Sequence, residues 1–305
     1  MKEIGGENRS GTTVHGGCAV LFGLPFLGAG AFIIVASTGA FGKEGMHAPP
    51  WVIAAAGAVF FLAGLFIAVH GLRGLARRAA LRARAERHSG EPWWADHVWD
   101  PREARFSALA KALKSIPGLL FFCLFLSPFN YFAFLSGEMP ALAIGVVALF
   151  DLFLLIGVGA LIHGILRGLK YGSARFVFDR FPFQLGETVA GRVHSTLPIA
   201  AALIKVILRC VQEVYVTSGS GRNASTRIAR HELHSQVLEV EGGERVHEIP
   251  VKFELPRGDL ASKLAVQPPR YWELEVSAVT PGVDYHAVFL VPVYAAGATG
   301  GAGVS

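Results

Sequence analysis

The sequence has few charged residues and few cysteines. Only 17% of its 305 residues are charged, against about 25% in an ordinary soluble domain. The mean hydropathy is +0.45. Cys18, Cys123 and Cys210 are too far apart in the chain to match a disulfide framework or a metal-binding motif. Low charge and high hydropathy together place the chain in the membrane class.

The sequence also lacks the motifs of catalysis and of nucleic-acid binding. It contains no nucleophile elbow, no phosphate-cradling glycine loop and no recognisable catalytic triad. His231 and His234 in "RHELH" are three apart, which on a strand sends them to opposite faces and disfavours a shared metal. The C-terminal half has no basic surface interleaved with aromatic residues. We therefore predict a protein that is not an enzyme and uses no cofactor, metal or nucleic acid.

Both ends of the chain are polar or low in complexity. Residues 1–16 mix acids, bases and glycines before any apolar run, without the order of a secretory signal or a myristoylation start. Residues 296–305 read "AGATGGAGVS". Such composition predicts a disordered tail at each end.

Four apolar stretches are long enough to cross a bilayer, which takes about 20 residues. They are Gly17–Thr38, Trp51–Leu72, Ile116–Ser136 and Pro140–Leu169. Short connections join the first to the second and the third to the fourth. The sequence therefore predicts two transmembrane hairpins, at residues 17–72 and 116–172.

The connection between the hairpins, residues 73–115, is strongly basic, whereas the turns inside the hairpins carry almost no positive charge. The positive-inside rule places a basic connection in the cytoplasm. Its basic residues include Arg73, Arg77, Arg78, Arg82, Arg84, Arg87, Arg102, Arg105, Lys111 and Lys114. Four crossings return the chain to the same side. We predict a multi-pass protein of the bacterial inner membrane with cytoplasmic N- and C-termini.

A helix start follows within this connection. Asp100 and Pro101 have the chemistry of an N-cap and a first helical position. An apolar stripe from Phe106 to Ile116 follows at helical spacing. This pattern predicts a helix that lies along the membrane surface.

Three tryptophans, Trp93, Trp94 and Trp99, cluster in "EPWWADHVWDP" just before that helix start. Amphipathic indole rings are favoured at headgroup depth. The other placement packs them under the β domain, where they would fix it to the membrane half. A ligand-binding aromatic cage is a less favoured interpretation.

Asp151 is the one acidic residue deep inside an apolar span, and such a group is a functional candidate. Helix rise places it at about the depth of Ser127, with Tyr131 one turn nearer the outside. We favour a structural role in which Asp151 joins helices through one of these two residues. Ion or proton translocation is the alternative.

Small residues recur along two of the apolar spans. Such stripes let transmembrane helices approach closely, so we predict helix packing there. The residues are Gly57, Gly64 and Gly71 in the second span and Ala160, Gly164 and Gly168 in the fourth.

Residues 173–295 change from continuous apolar runs to alternation with a period of two. Turn sequences such as "SGSG", "EGGE" and "PGVD" separate the runs. Regular short strands without helices between them predict an antiparallel β-sandwich.

Three motifs in this half resemble the N-terminal sandwich of arrestin-like proteins. They are "LGETVAGRV" at Leu185–Val193, "IPVKFELP" at Ile249–Pro256 and "YWELEVSA" at Tyr271–Ala278, and "FLVPVY" follows them. Other Ig-like sandwiches share parts of this pattern. The resemblance implies a fold and a general interaction role, not receptor regulation.

The whole chain is similar to a family of uncharacterised multi-pass bacterial membrane proteins with a Pro-Trp-x-Trp-like segment in the same loop. That resemblance, to a domain of unknown function, implies no activity. We predict a membrane-anchored protein-binding or scaffold module that acts through the β-sandwich, with the lipid bilayer and a protein as partners. A small transporter or channel component that uses Asp151 is the alternative. Homo-oligomerisation stays open.

Overall fold

The computed structural model describes residues 2–5, 16–40, 49–88, 90–135, 140–218 and 225–295. They form two compact units. The β unit draws on Met1–Thr13, Ala79–Ala110 and Leu166–Ser305, and the helical unit on Val14–Arg78 and Lys111–Ile165. The predicted tail at 296–305 lies outside the described residues.

Six α-helices and one π-helical turn are described. In chain order they are α1 (Gly16–Ser37), α2 (Pro50–Arg87), α3 (Trp93–Asp96), α4 (Ala108–Leu113), α5 (Ile116–Asn130), the π-helix (Tyr131–Leu135) and α6 (Ala141–Tyr171).

Four helical segments are long and apolar enough to cross a membrane, which confirms the predicted number. They are Gly17–Ser37, Pro50–Arg87, Ala108–Leu135 and Ala141–Tyr171. Their large apolar side chains point outward, and Leu142 is 85% exposed and Leu21 68% exposed. Such exposure is unfavourable in water. It is expected where lipid is the solvent.

Glycines let α1 and α2 approach closely. A Cβ added at Gly64 would lie 2.6 Å from the carbonyl oxygen of Gly23, and one at Gly57 would lie 3.0 Å from that of Gly30. Gly57 and Gly64 of the predicted stripe therefore lie at this contact, and Gly71 is buried. The matching glycines on α1 were not predicted.

Gly164 and Gly168 of α6 pack against the short helix α4, whereas a simple hairpin would place them against α5. A Cβ at Gly164 would lie 2.9 Å from Cβ of Ala112, and one at Gly168 would lie 2.6 Å from Cβ of Leu109. Both partners belong to the short helix α4. Ala160 is exposed.

Nine strands are described. They are β1 (Lys2–Ile4), β2 (Glu103–Ser107), β3 (Ser173–Phe178), β4 (Phe183–Gln184), β5 (Thr188–Ser218), β6 (Ser225–Glu254), β7 (Arg270–Ala278), β8 (Tyr285–Val291) and β9 (Val293–Tyr294). β4 and β9 pair in parallel, and every other strand pair is antiparallel.

The long strands β5 and β6 run through both layers of the sandwich. The first part of β5 pairs with β3, which pairs with β2. Its later part, from Lys205 to Gln212, pairs instead with β7, which pairs with β8. Shifts in register between His194 and Ala201 mark the passage from one layer to the other. The predicted antiparallel β-sandwich is therefore confirmed.

The core of the sandwich lies between these layers. Trp272, Leu274 and Phe176 are fully buried, and the Phe176 ring lies 6.3 Å from the ring of Phe289 on the opposite layer. Alternate residues of each strand point into this core, as the period-two pattern requires.

The predicted surface helix from Asp100 to Ile116 is wrong over its first half. Glu103–Ser107 forms β2 and pairs with β3, and only Ala108–Leu113 is helical before α5 begins. Asp100 acts in a turn, where its Oδ1 accepts a hydrogen bond from the Arg102 N–H at 3.0 Å. Pairing with a distant strand outweighs the local capping pattern.

The predicted disordered tail at 1–16 is also wrong over Lys2–Ile4. This segment forms β1, which pairs with Arg230–Glu232 of β6. A three-residue strand has no signal of its own, because its partner lies far along the chain. Residues 6–15 lie outside the described residues.

Candidate functional site

The tryptophan-rich loop forms an apolar cluster within the β unit. Trp93 and Trp99 are only 4% and 6% exposed. Both pack against Tyr294 of β9, whose ring lies 6.1 Å from that of Trp93. The structure thus places these two tryptophans against the β domain and not at a free surface.

Hydrogen bonds tie this cluster together. Trp99 Nε1 donates to the Tyr294 hydroxyl at 3.0 Å, and that hydroxyl donates to Asp96 Oδ2 at 2.9 Å. Asp96 Oδ1 in turn accepts the Ala265 N–H at 2.7 Å. Burial and the nearby Asp96 charge raise the pKa of Tyr294 far above its usual value, so the phenol keeps its proton.

Trp94 links the cluster to the end of α2. Its Nε1 donates to Glu91 Oε2 at 2.5 Å, and the Arg84 guanidinium lies 5.9 Å from its ring centre. The Phe181 ring lies 5.5 Å away on the sandwich. Because neighbouring side chains of the same protein pack on these rings, the arrangement gives no support to a ligand cage.

This cluster lies at a defined end of the sandwich. Trp272, near the start of β7, pairs with Val291, and β8 leads directly into β9 and Tyr294. Tyr294 therefore lies at the end where β7 begins. Sequence reasoning missed Tyr294, which lies far along the chain from the tryptophans, and did not predict a bond to it from Asp96, which stands between Trp94 and Trp99.

A buried ionic network lies on the face of β5, β6 and β7 that points away from the core. Arg230 and Glu273 are 5% and 4% exposed, and Arg230 Nη2 donates to Glu273 Oε1 at 2.7 Å. Arg230 Nε donates to the Tyr271 hydroxyl at 3.1 Å, which donates to Glu213 Oε1 at 2.9 Å. Burial raises the pKa of Tyr271, which keeps the phenol protonated.

The same network extends to the edge of the sheet. Arg209 bonds to Glu275, and His286 Nε2 lies 3.3 Å from Glu275 Oε1. The His286 hydrogen bond, with help from the Arg209 charge, holds the pKa of Glu275 below its usual value despite burial. Sequence reasoning singled out none of these residues. No group of three or more metal-ligating side chains occurs among the described residues.

The β1 strand covers part of this network. The carbonyl oxygen of Gly5, just beyond β1, accepts a hydrogen bond from Arg230 Nη1 at 2.7 Å. The Arg230 guanidinium thus donates hydrogen bonds to the Gly5 carbonyl, to Tyr271 and to Glu273. Satisfied hydrogen bonds on each side are what make a buried charge tolerable.

Among the described residues, the longest edge of the sandwich belongs to β6. On one side β2 and β8 end the two layers and lie beside each other, with the Phe106 ring 6.4 Å from that of Phe289. On the other side β6 ends both layers. Among the described residues, only β1 pairs with its outer side, over Arg230–Glu232. The remainder of β6 thus presents an edge of backbone donors and acceptors.

In the helical unit, Asp151 has a partner that was not predicted. Asn130 Nδ2 donates to Asp151 Oδ1 at 3.0 Å. Ser127 instead donates to the Leu124 carbonyl of its own helix at 2.8 Å, and the Tyr131 ring packs edge-on against Trp51 at 4.9 Å. The predicted contacts to Ser127 and Tyr131 are therefore wrong, although the predicted joining of the two helices through Asp151 is present.

The helix changes geometry beside this pair. Asn130 is the last residue of α5, and the π-helix begins at Tyr131. A π-helical turn rotates the residues that follow it relative to an ordinary α-helix and often occurs at functional sites.

No family model matches the chain, and no curated protein matches it. The resemblances to arrestin-like sandwiches and to multi-pass bacterial membrane proteins therefore stay predictions.

Proposed function

We propose that the protein is a membrane-anchored binding module whose β-sandwich takes up an extended segment of a partner protein along β6. The observation that carries this proposal is the edge described above. β6 is 30 residues long, and β1 covers three of them among the described residues. An extended peptide added to such an edge gains main-chain hydrogen bonds over its whole length.

The charges on β6 favour a basic partner. Val237, Glu239 and Glu241 are exposed and lie on one face, since strand residues two apart share a face. Opposite charges directly across two strands stabilise their pairing. Among the charged residues of β6 between Leu233 and Pro250, Glu248 already pairs with Arg192 of β5 at 3.3 Å. The others are Glu239, Glu241, Glu244 and Arg245.

We further propose that this sandwich is arrestin-like and lies on the cytoplasmic side of the bacterial inner membrane. The sequence motifs support the first statement. The basic connection supports the second, through the positive-inside rule.

Site-specific photo-crosslinking in native membranes tests the proposal. A photoreactive amino acid replaces Val237 on β6, and in a matched control it replaces Val266, since these valines are 54% and 57% exposed. We expect adducts with a partner from position 237 and none from position 266. Glu239→Lys with Glu241→Lys should abolish the adduct, because both charges that select a basic strand are then reversed.

Three results would overturn the proposal. Equal adducts from both positions would show that β6 is not distinguished from other exposed surface. An adduct that survives the double charge reversal would remove the charge argument. Adducts between two copies of this chain alone would assign the edge to self-association.

A second candidate function is ion or proton transport through the helical unit. The observation in its favour is the pair Asp151–Asn130 at the start of the π-helix. Asp151→Asn should then abolish flux in proteoliposomes while the helices stay folded. Unchanged flux, or no flux in the parent protein, would leave the pair with a structural role.

A further inference from the structure

The end of the sandwich opposite the tryptophan cluster surrounds the last turn of α6. Lys170 Nζ donates to Thr280 Oγ1 at 2.9 Å, to the Pro281 carbonyl at 2.6 Å and to the Val283 carbonyl at 2.9 Å. All three donors of the ammonium group are used on the loop between β7 and β8. This loop is therefore held against the end of an apolar helix.

A second segment, on β5, meets the same helix end. Ser195 Oγ donates to the Tyr171 carbonyl at 3.3 Å, and Thr196 Oγ1 donates to the Ser173 carbonyl at 2.8 Å. Tyr171 itself bonds to Thr280 and, at 2.6 Å, to the Val283 carbonyl. The two segments thus flank the point where α6 passes into β3.

Both segments are apolar and mostly exposed, although Ile199 and Thr280 are buried. Residues 196–203 read "TLPIAAAL" and residues 279–283 read "VTPGV", with no charged residue in either. Val279 is 84% exposed, Leu203 48% and Leu197 39%. Segments that face water are seldom so apolar, and clustered exposed apolar residues mark an interaction surface.

The neighbouring helix indicates what covers this surface. α6 has the length and hydropathy of a membrane-crossing helix. Its last turns carry Arg167 and Lys170 but still expose apolar side chains, with Leu166 at 49% and Leu169 at 63%. Lipid that surrounds these leucines would continue directly onto the two segments fixed beside them.

We propose that residues 196–203 and 279–283 form a lipid-contacting rim of the β unit. The side chains of Val279, Leu197 and Leu203 enter the interfacial layer of the bilayer that α6 crosses. The rim is a second binding surface beside β6, since Leu203 pairs with Glu241 and Ile199 with Val246, and its occupant is lipid. The proposal of a lipid-contacting rim does not depend on a partner binding to β6.

Depth-dependent quenching of a fluorescent label tests the rim. The full chain, with Cys18→Ala and Cys123→Ala, is reconstituted in phosphatidylcholine–phosphatidylglycerol vesicles. Cys210 stays, because it is buried and burial raises the pKa of its thiol to about 12, which suppresses thiolate labelling. Bimane is attached at Val279→Cys or Leu197→Cys, and at Val266→Cys as the control.

Val266 is a matched control by exposure and by place. It is 57% exposed and precedes the start of β7, whereas Val279 follows its end. The length of β7 separates the two by about 26 Å at ~3.3 Å per residue. Folding of each variant is checked by the fluorescence of the buried tryptophans.

We expect lipid that carries a nitroxide near the headgroup to quench positions 279 and 197 at least threefold more than position 266. Iodide in the buffer should show the reverse order. Equal lipid quenching at all three positions would overturn the proposal. So would protection from iodide at 279 and 197 without lipid quenching, because protein would then cover them.

Discussion

The helical unit and the β unit use the same apolar side chains in opposite ways. In the β unit, Trp272, Leu274 and Phe289 are turned inward and are almost fully buried. In the helical unit, Leu142 and Leu155 are turned outward and are 85% and 66% exposed. The difference indicates two solvents, since only the β unit gains by removing apolar surface from water.

The two units also differ in what holds them together. Helices α1 and α2 meet through glycines, where backbone approaches backbone. The sandwich is filled by large aromatic and branched side chains, and it has a buried ionic network besides. Replacement of a large apolar side chain should therefore cost much stability in the β unit and little in the helical unit.

The largest expected effect comes from emptying the sandwich core. Trp272→Ala should lower the free energy of unfolding of the β unit by about 3–5 kcal/mol, through lost burial and the cavity left behind. Phe153→Ala on α6, where the ring is 55% exposed, should change stability by less than about 0.5 kcal/mol. Urea unfolding of the full chain in detergent micelles measures both. Similar losses for the two variants would contradict the contrast between the units.

Removal of one partner from the buried network should come next. Arg230→Met removes one partner of the buried Glu273, which keeps Arg209 with its Nε at 3.8 Å. The loss should be about 1.5–3 kcal/mol, the range for hydrogen bonds to charged groups. A matched control is Arg227→Met, three residues earlier on β6, because Arg227 is exposed and bonds to the exposed Glu3. We expect no measurable change for the control. An Arg230→Met variant as stable as the unsubstituted protein would show that Arg209 alone is a sufficient partner for Glu273.

A smaller loss should follow from the tryptophan cluster. Tyr294→Phe removes the acceptor of Trp99 Nε1 and the donor to Asp96, so buried polar groups lose their partners, at about 1–3 kcal/mol. Tyr215→Phe, at a position that is 39% exposed, should have little effect. Thermal unfolding followed by tryptophan fluorescence compares the two. Equal unfolding temperatures for the two variants would mean that a water molecule takes over the hydrogen bonds of the lost Tyr294 hydroxyl.

The smallest effect is expected in the helical unit. A double-mutant cycle with Asn130→Ala and Asp151→Ala should give a coupling energy of about 0.6 kcal/mol, typical of hydrogen bonds between membrane helices. A second cycle with Ser127→Ala and Asp151→Ala should give none, because Ser127 bonds to its own helix. Coupling in the second cycle and not in the first would reinstate the predicted partner.

The fold class of both units could be predicted from periodicity in the sequence. Four long apolar runs and a series of period-two runs predict membrane helices and a sandwich, and neither depends on a particular contact. The continuation of α2 to Arg87 also agrees with the run of alanine, leucine and arginine after Leu72.

The errors arise where distant residues decide the local structure. Glu103–Ser107 has a helix-start pattern beside it, but it gains more as a strand against β3. The partner of Asp151 was misplaced because helical rise gives depth and not rotation. Asn130, three residues beyond Ser127, is the residue that faces the carboxylate.

The pairing of β1 with β6 has a consequence for biosynthesis. Lys2 pairs with Glu232, and at about 5–20 residues per second the ribosome makes the second roughly 10–50 s after the first. All four apolar segments emerge in that interval. The first strand must therefore wait, on the side of the membrane where the sandwich will fold, until its neighbour has been translated. Until β1 pairs, Arg230–Glu232 of β6 lack the strand that covers their outer side in the folded protein.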